Sequence, residues 1–128
     1  MKYVRGIITH GEGWGRRLGF PTANLRKPTT RAMPVSDGIY AAWGRIGNET
    51  TWRKAILLVG APAFFRSKAK KLEIYFLDFT GDLYGKRVAA KIIQRLRPMR
   101  KYHNTGELIA QIKKDIKEAK VILTDDKI

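Results

Sequence analysis

Apolar positions alternate with polar ones, or run together in short stretches, along most of the chain, and only the C-terminal part changes to a helical period. Residues 3–9 are rich in β-formers, and Gly11-Glu12-Gly13-Trp14-Gly15 then breaks any regular element, so an irregular stretch is expected as far as Pro34. A strand fits 38–46, opened by the turn-like Ser36-Asp37. Gly47-Asn48 marks a hairpin turn, and 51–59 reads as the returning strand. After a loop carrying Pro62 and a basic run, two interleaved sets appear, Leu72/Ile74/Phe76/Asp78 and Glu73/Tyr75/Leu77/Phe79. Both sets are mostly apolar, which predicts a strand covered on both faces. Thr80-Gly81-Asp82 is the next turn, followed by a strand at 87–96 with Val88, Ala90, Ile92 and Leu96 expected on one side.

The period then lengthens. Asn104 followed three residues later by Glu107 has the form of a capping box, and Leu108, Ile112, Ile116, Ala119 and Leu123 repeat at helical spacing behind it. One amphipathic helix closing an otherwise β chain points to a mainly β domain, and hairpins of moderate length favour a small antiparallel barrel over a sandwich. The helix is expected to bury its single stripe over a barrel end. No repeat, low-complexity segment or linker divides the 128 residues, which are read as a single domain, 1–128.

Composition narrows the function classes. With no cysteine, disulfide scaffolds, thiolate metal sites, iron–sulfur clusters and cysteine nucleophiles are excluded together. Apolar runs such as Ala55-Ile56-Leu57-Leu58-Val59 are too short to span a bilayer, and the first residues lead into no signal-peptide core, so no membrane partner and a cytoplasmic location are expected. There are 26 Lys and Arg against 11 Asp and Glu, a formal charge of +15. Such a surface attracts polyanions, whether nucleic acid, nucleotide or acidic membrane. The few acids matter more, because any mechanism that needs a carboxylate has few candidates. His10 and His103 are isolated and make no metal set.

The glycine cluster fits neither G-x-G-x-x-G nor the P-loop pattern, and Asp78-Phe79-Thr80 is not a kinase D-F-G. It runs on, however, into Gly15-Arg16-Arg17-Leu18-Gly19-Phe20-Pro21-Thr22-Ala23-Asn24. Flexible N–H donors, two guanidinium groups, and a hydroxyl and an amide oxygen two residues apart suit a nucleotide phosphate chain with Mg²⁺. The alternative is a turn in which Thr22 and Asn24 cap backbone N–H groups.

At this point the chain resembles the ATP-dependent riboflavin kinases, or flavokinases, whose hallmark is a glycine-rich segment ending L-G-F-P-T-A-N. Gly38-Ile39-Tyr40, Val59-Gly60 with Pro62, Leu72-Glu73 with Asp78-Phe79, Asp82-Leu83-Tyr84-Gly85, Leu96-Arg97-Pro98 through Tyr102, and Glu107-Leu108 with Gln111-Ile112 and Asp115 continue the family's order over about residues 5–123. The resemblance implies a six-stranded antiparallel Greek-key barrel with a C-terminal helix, transferring the γ-phosphoryl group of ATP to the ribityl 5′-hydroxyl of riboflavin to give FMN and ADP. It implies Glu73 as catalytic carboxylate, Thr22 and Asn24 as Mg²⁺ and phosphate ligands, and Gly11 and Arg16 in a flap over the nucleotide. It further implies nucleotide contacts at Phe76, Asp78 and Tyr84 and flavin contacts at Arg97, Arg100 and Tyr102. Ala63 and Tyr102 depart from the family's usual Thr and Phe, and the loop at 66–71 is unusually basic.

Each assignment has a plainer counterpart: a salt bridge for Glu73, core packing for Phe76 and Tyr84. The competing function is a non-enzymatic basic barrel that binds nucleic acid, with Trp14, Trp43 and Trp52 as stacking platforms. A catalytically inactive flavin-binding relative is a third reading. The expected state is a monomer with no specific nucleic-acid partner.

Overall fold

The computed structural model describes residues 2–9, 19–26, 34–60, 71–100 and 102–124. Six strands, β1 (Lys2–Thr9), β2 (Ala23–Arg26), β3 (Gly38–Ile46), β4 (Arg53–Gly60), β5 (Lys71–Phe76) and β6 (Arg87–Arg97), precede one long helix, α1 (Thr105–Ile122). They close a barrel in the order β1-β2-β5-β4-β3-β6, with antiparallel pairing throughout. The antiparallel pairing of β3 with β4 follows from a tight turn. Gly47 takes φ 58° at the β3–β4 hairpin, and its N–H is held by the Arg87 carbonyl at 2.7 Å.

Alternation sorts the strands into two apolar layers. Val4, Ile8, Leu25, Tyr40, Ala42, Leu57, Val59, Leu72, Ile74, Phe76, Val88, Ala90 and Ile92 fill the barrel. Small residues make room for large ones: a Cβ at Gly44 would collide with the Phe76 ring. Outside, Ile39, Ala41, Trp43, Ile56 and Leu77 pack with Ala119 and Leu123, so α1 lies along the barrel wall over β3, β4 and β6. The two-faced apolar pattern thus has its predicted explanation over 72–77, with Leu72, Ile74 and Phe76 inside and Tyr75 and Leu77 in the outer layer.

The cap forms as expected on one side, where the Asn104 side chain accepts the Glu107 N–H at 2.9 Å, while the Glu107 carboxylate accepts the N–H of His103, one residue before the cap, at 3.3 Å.

Four expectations change. A short strand, β2, occupies the stretch read from the residues alone as irregular; its four residues bury only Leu25, too little for alternation to register. β5 ends at Phe76, because Asp78 adopts φ 53° and turns the chain. Register shifts where β6 meets β3, between Ile39/Tyr40 and Ala41/Ala42, move Leu96 to the outer layer, away from Val88, Ala90 and Ile92. Finally, the helix packs on the wall rather than over an end, because the outward residues of β3 and β4 supply the apolar face that its stripe needs.

Candidate active site

One cross-strand row organises the site. Thr9 pairs with Asn24, Asn24 with Glu73, Glu73 with Leu58, Leu58 with Ile39, and Ile39 with Arg97. Since Leu72 and Ile74 point into the barrel, strand geometry turns Glu73 outward. The same parity sends Thr22 and Asn24 outward, because Ala23 and Leu25 pack against the interior. Glu73 is the one carboxylate carried by any of the six strands. It is half-buried, and the Thr22 hydroxyl donates to its Oε1 at 2.9 Å, which fixes the carboxylate's orientation. Beside it Phe20 meets Tyr75 edge-on, with ring centroids 6.2 Å apart. Burial pushes the Tyr75 hydroxyl's pKa up, and the nearby Asp78 charge adds to the effect.

Thr22, Asn24, Glu73, Phe76, Phe79 and Tyr84 help to line a cleft of about 660 Å³. Its far side is the segment after β5. This segment is tied to β1 by Gly85 N–H to the Ile8 carbonyl and Ile8 N–H to the Lys86 carbonyl, both 2.9 Å. The Asp82 carboxylate accepts the Tyr84 N–H at 2.9 Å, a local turn that leaves the Tyr84 ring 55% exposed at the cleft mouth. Phe76 is buried and stacks at a tilt on Phe79, over which the Arg53 guanidinium lies at 5.1 Å. Five predicted positions, Thr22, Asn24, Glu73, Phe76 and Tyr84, therefore meet at one cleft. Asp78 is not among the lining residues: it is 77% exposed and faces Lys120 of α1 at 3.5 Å. Gly11 and Arg16 lie outside the described residues.

The predicted flavin positions form a second group. Arg97 grips Asp115 with Nε at 2.9 and 3.1 Å and Nη2 at 2.8 Å, and Gln111 donates to the same carboxylate at 2.9 Å. Asp115 is 3% exposed, so this buried charge is held by a bidentate cation and an amide. Arg97 also sits over the Tyr102 ring at 5.7 Å, whereas Arg100 is exposed. The Tyr102 hydroxyl is buried without a hydrogen bond. Burial pushes its pKa up, against the nearby Arg97 guanidinium, which favours the ionised form. Around the wall, Arg97 is three strands from Glu73, about 14 Å. Asp115 was visible in the sequence as a charge among Ile112, Ile116 and Ala119 on the apolar stripe; its pairing with Arg97 was not.

The donor set suits a hard cation. Among the described residues no cluster of three His, Cys, Asp or Glu exists that could hold a metal alone. Thr22 and Asn24 instead present a hydroxyl and an amide oxygen on the face that carries Glu73, which fits Mg²⁺ taking its remaining ligands from phosphates and water.

A sequence profile of the flavokinases, described as riboflavin kinase, matches residues 2–123. The chain belongs to the riboflavin kinase family. Human riboflavin kinase is 31% identical over 122 residues, covering 92% of this chain and 78% of that protein. The bifunctional riboflavin kinase/FMN adenylyltransferase of Listeria monocytogenes is 35% identical over 113 residues, 88% of this chain but 35% of that protein. An RNA-binding riboflavin kinase of Bacillus subtilis is 30% identical, over 91% of this chain and 49% of that protein. The chain therefore spans a third to a half of these bacterial relatives. The crystal structure of riboflavin kinase from Trypanosoma brucei superposes with a TM-score of 0.72 at 24% identity, over 98% of this chain and 78% of that one, and shares the fold. In the riboflavin kinase family's signature run, Pro21-Thr22-Ala23-Asn24 is here the entry into β2, the strand that pairs with Glu73's strand. Among the described residues no helix is long and apolar enough to cross a membrane.

Proposed function

We propose that this chain is a riboflavin kinase that passes the γ-phosphoryl group of ATP to the ribityl 5′-hydroxyl of riboflavin, with Glu73 as general base. The supporting observation is the outward row in which Glu73, the single strand-borne carboxylate, shares a cleft wall with Thr22 and Asn24. The adenosine end of ATP fits beside Phe79 and Tyr84, and the flavin ring fits the Arg97–Tyr102 end of the row, whose planar groups suit stacking. About 14 Å of wall then separates Glu73 from Arg97, a span shared by the flavin ring system and the ribityl chain that reaches from it toward Glu73.

In the reaction the hydroxyl oxygen bonds to the γ-phosphorus as the bond to the β,γ-bridging oxygen breaks, and ADP departs. Glu73 takes the hydroxyl proton during attack and returns it to solvent. Thr22 keeps the carboxylate facing the reacting hydroxyl. A divalent cation held by the oxygens of Thr22 and Asn24 would supply charge neutralisation on the phosphates. Most of the acceleration then comes from positioning and electrostatics, since the phosphoryl group needs little covalent help.

The large apolar side chains exposed among the described residues are three, Tyr3, Tyr84 and Val121, on β1, the segment after β5 and α1, and the proposed state is a monomer. Reliance on ATP supports action in the cytoplasm. The deciding experiment is incubation of the protein with riboflavin, ATP and Mg²⁺ followed by separation of flavins. FMN with ADP in equal amounts is expected. Unchanged riboflavin overturns the proposal, and FAD with pyrophosphate would mean that chemistry beyond the γ-phosphate occurs here.

A further inference from the structure

The wall of the barrel that α1 leaves uncovered carries a regular array of cations. Ile7 lies between Arg26 and Arg87; two residues back along β1, Arg5 lies opposite Ala89, whose other neighbour is Arg45. Two further back, Tyr3 lies opposite Lys91, beyond which Trp43 passes under α1 and ends the open wall. The cationic positions share the outward parity, in rows about 7 Å apart along the strands. Arg5, Arg26 and Arg87 are exposed, while Arg45 and Lys91 are half-buried. β1, β2, β3 and β6 contain no Asp or Glu, and none of the five cations takes part in an ion pair among the described residues. Two aromatic groups lie within the array: Tyr3, 46% exposed, and Trp52, over which Arg45 sits at 5.1 Å.

From this face we infer a second binding surface, for single-stranded nucleic acid, separate from the cleft at Glu73. Charge complementarity selects a polyphosphate. Extent selects a polymer, because the cations reach over four strands, about 14 Å around the wall, more than one triphosphate would engage. Tyr3 selects a single strand, since an exposed ring amid cations can stack only on a base not already stacked inside a duplex. The binding is sequence-tolerant, because the face offers guanidinium and ammonium groups rather than a pocket for base edges.

The test is fluorescence anisotropy with a labelled oligouridylate of about 12 nucleotides at a series of salt concentrations. Wild-type protein is expected to bind with an affinity that falls steeply with salt. The triple variant R5E/R26E/R87E is expected to bind at least tenfold more weakly, with a log–log salt slope shallower by about 2, three phosphates at ~0.7 each. K113E/K114E/K117E changes the net charge equally on the exposed face of α1 and should stay within about threefold of wild type, since charges beyond a Debye length are screened. Tyr3→Ala should cost about tenfold. Equal losses in the two triple variants would reduce the effect to diffuse net charge and overturn the inference. So would displacement of the oligonucleotide by Mg²⁺-ATP, tighter binding to a duplex of the same length, tighter binding to anionic lipid vesicles, or no binding at low salt. If the wall variant does not fold, Arg5→Glu and Arg87→Glu singly carry the same comparison with Lys114→Glu.

Discussion

Glu73 occupies an otherwise apolar strand, where an ionised side chain carries a desolvation cost unless it is hydrogen-bonded or partly hydrated. It meets that condition through Thr22 and its place on the cleft wall. Glu73→Gln keeps the shape and removes the basicity, so kcat should fall by at least ~100-fold while riboflavin and ATP affinities hold. Steady-state rates with equilibrium binding check this, and an unchanged kcat rejects the base assignment. Thr22→Ala removes both the donor that orients Glu73 and an oxygen beside the phosphates. It should lower kcat and raise the Mg²⁺ concentration needed for half-maximal rate, with Thr22→Ser restoring part of both. Tyr102 makes a different prediction. Its hydroxyl is buried without a partner, so Tyr102→Phe should leave stability unchanged or raise it by about 1 kcal/mol. The raised pKa means that the folded chain keeps this proton after the unfolded chain has released it, so its effect on stability is lost as pH rises beyond about 10. Denaturant unfolding on either side of that pH should show a smaller alkaline loss in the Phe variant.

Among the elements, α1 owes its position to one buried polar contact as much as to its apolar stripe. Leu123 and Ala119 are fully buried against the wall, but Asp115, gripped by Arg97, fixes the helix relative to β6 and to the segment through Tyr102. Removing one partner leaves the other charged and enclosed, so Asp115→Ala should cost about 3 kcal/mol or more and raise the KM for riboflavin more than that for ATP. Equal effects on both substrates would make the contact purely structural. This contact also marks where sequence reading stops. The hairpin of β3 and β4, the covered strand β5 and the capped helix were legible, because each announces itself through local spacing and turn chemistry. β2 was too short and too polar to register. The side of Leu96 depended on bulges set by β3, and the helix's resting place depended on outward residues of distant strands. At the site, Thr22, Asn24 and Glu73 were legible as chemistry through the resemblance, while their cross-strand adjacency and the Arg97–Asp115 grip were set by register.

For the molecule as a whole, closure is the feature with the widest consequence. β1 completes the barrel by pairing with β6, with Lys2 opposite Ile92 and Val4 opposite Ala90, so this joint links the two ends of the β region. A ribosome delivers β1 first, and its partner on that side emerges only after the four other strands have been made. Until then β1 has one open edge, and the interior residues Val4 and Ile8 lack their wall. Closure thus waits until β6 has been made, and in refolding it depends on a contact between residues far apart in sequence. Stopped-flow refolding followed by tryptophan fluorescence should show a main phase of milliseconds to seconds, characteristic of non-local β topologies, rather than microseconds. Val4→Ala should then mainly speed unfolding and leave the refolding rate nearly unchanged if β1 docks after the transition state. If instead refolding slows in proportion to the lost stability, the barrel closes early, and a nascent chain must hold β1 in reserve as its folding nucleus.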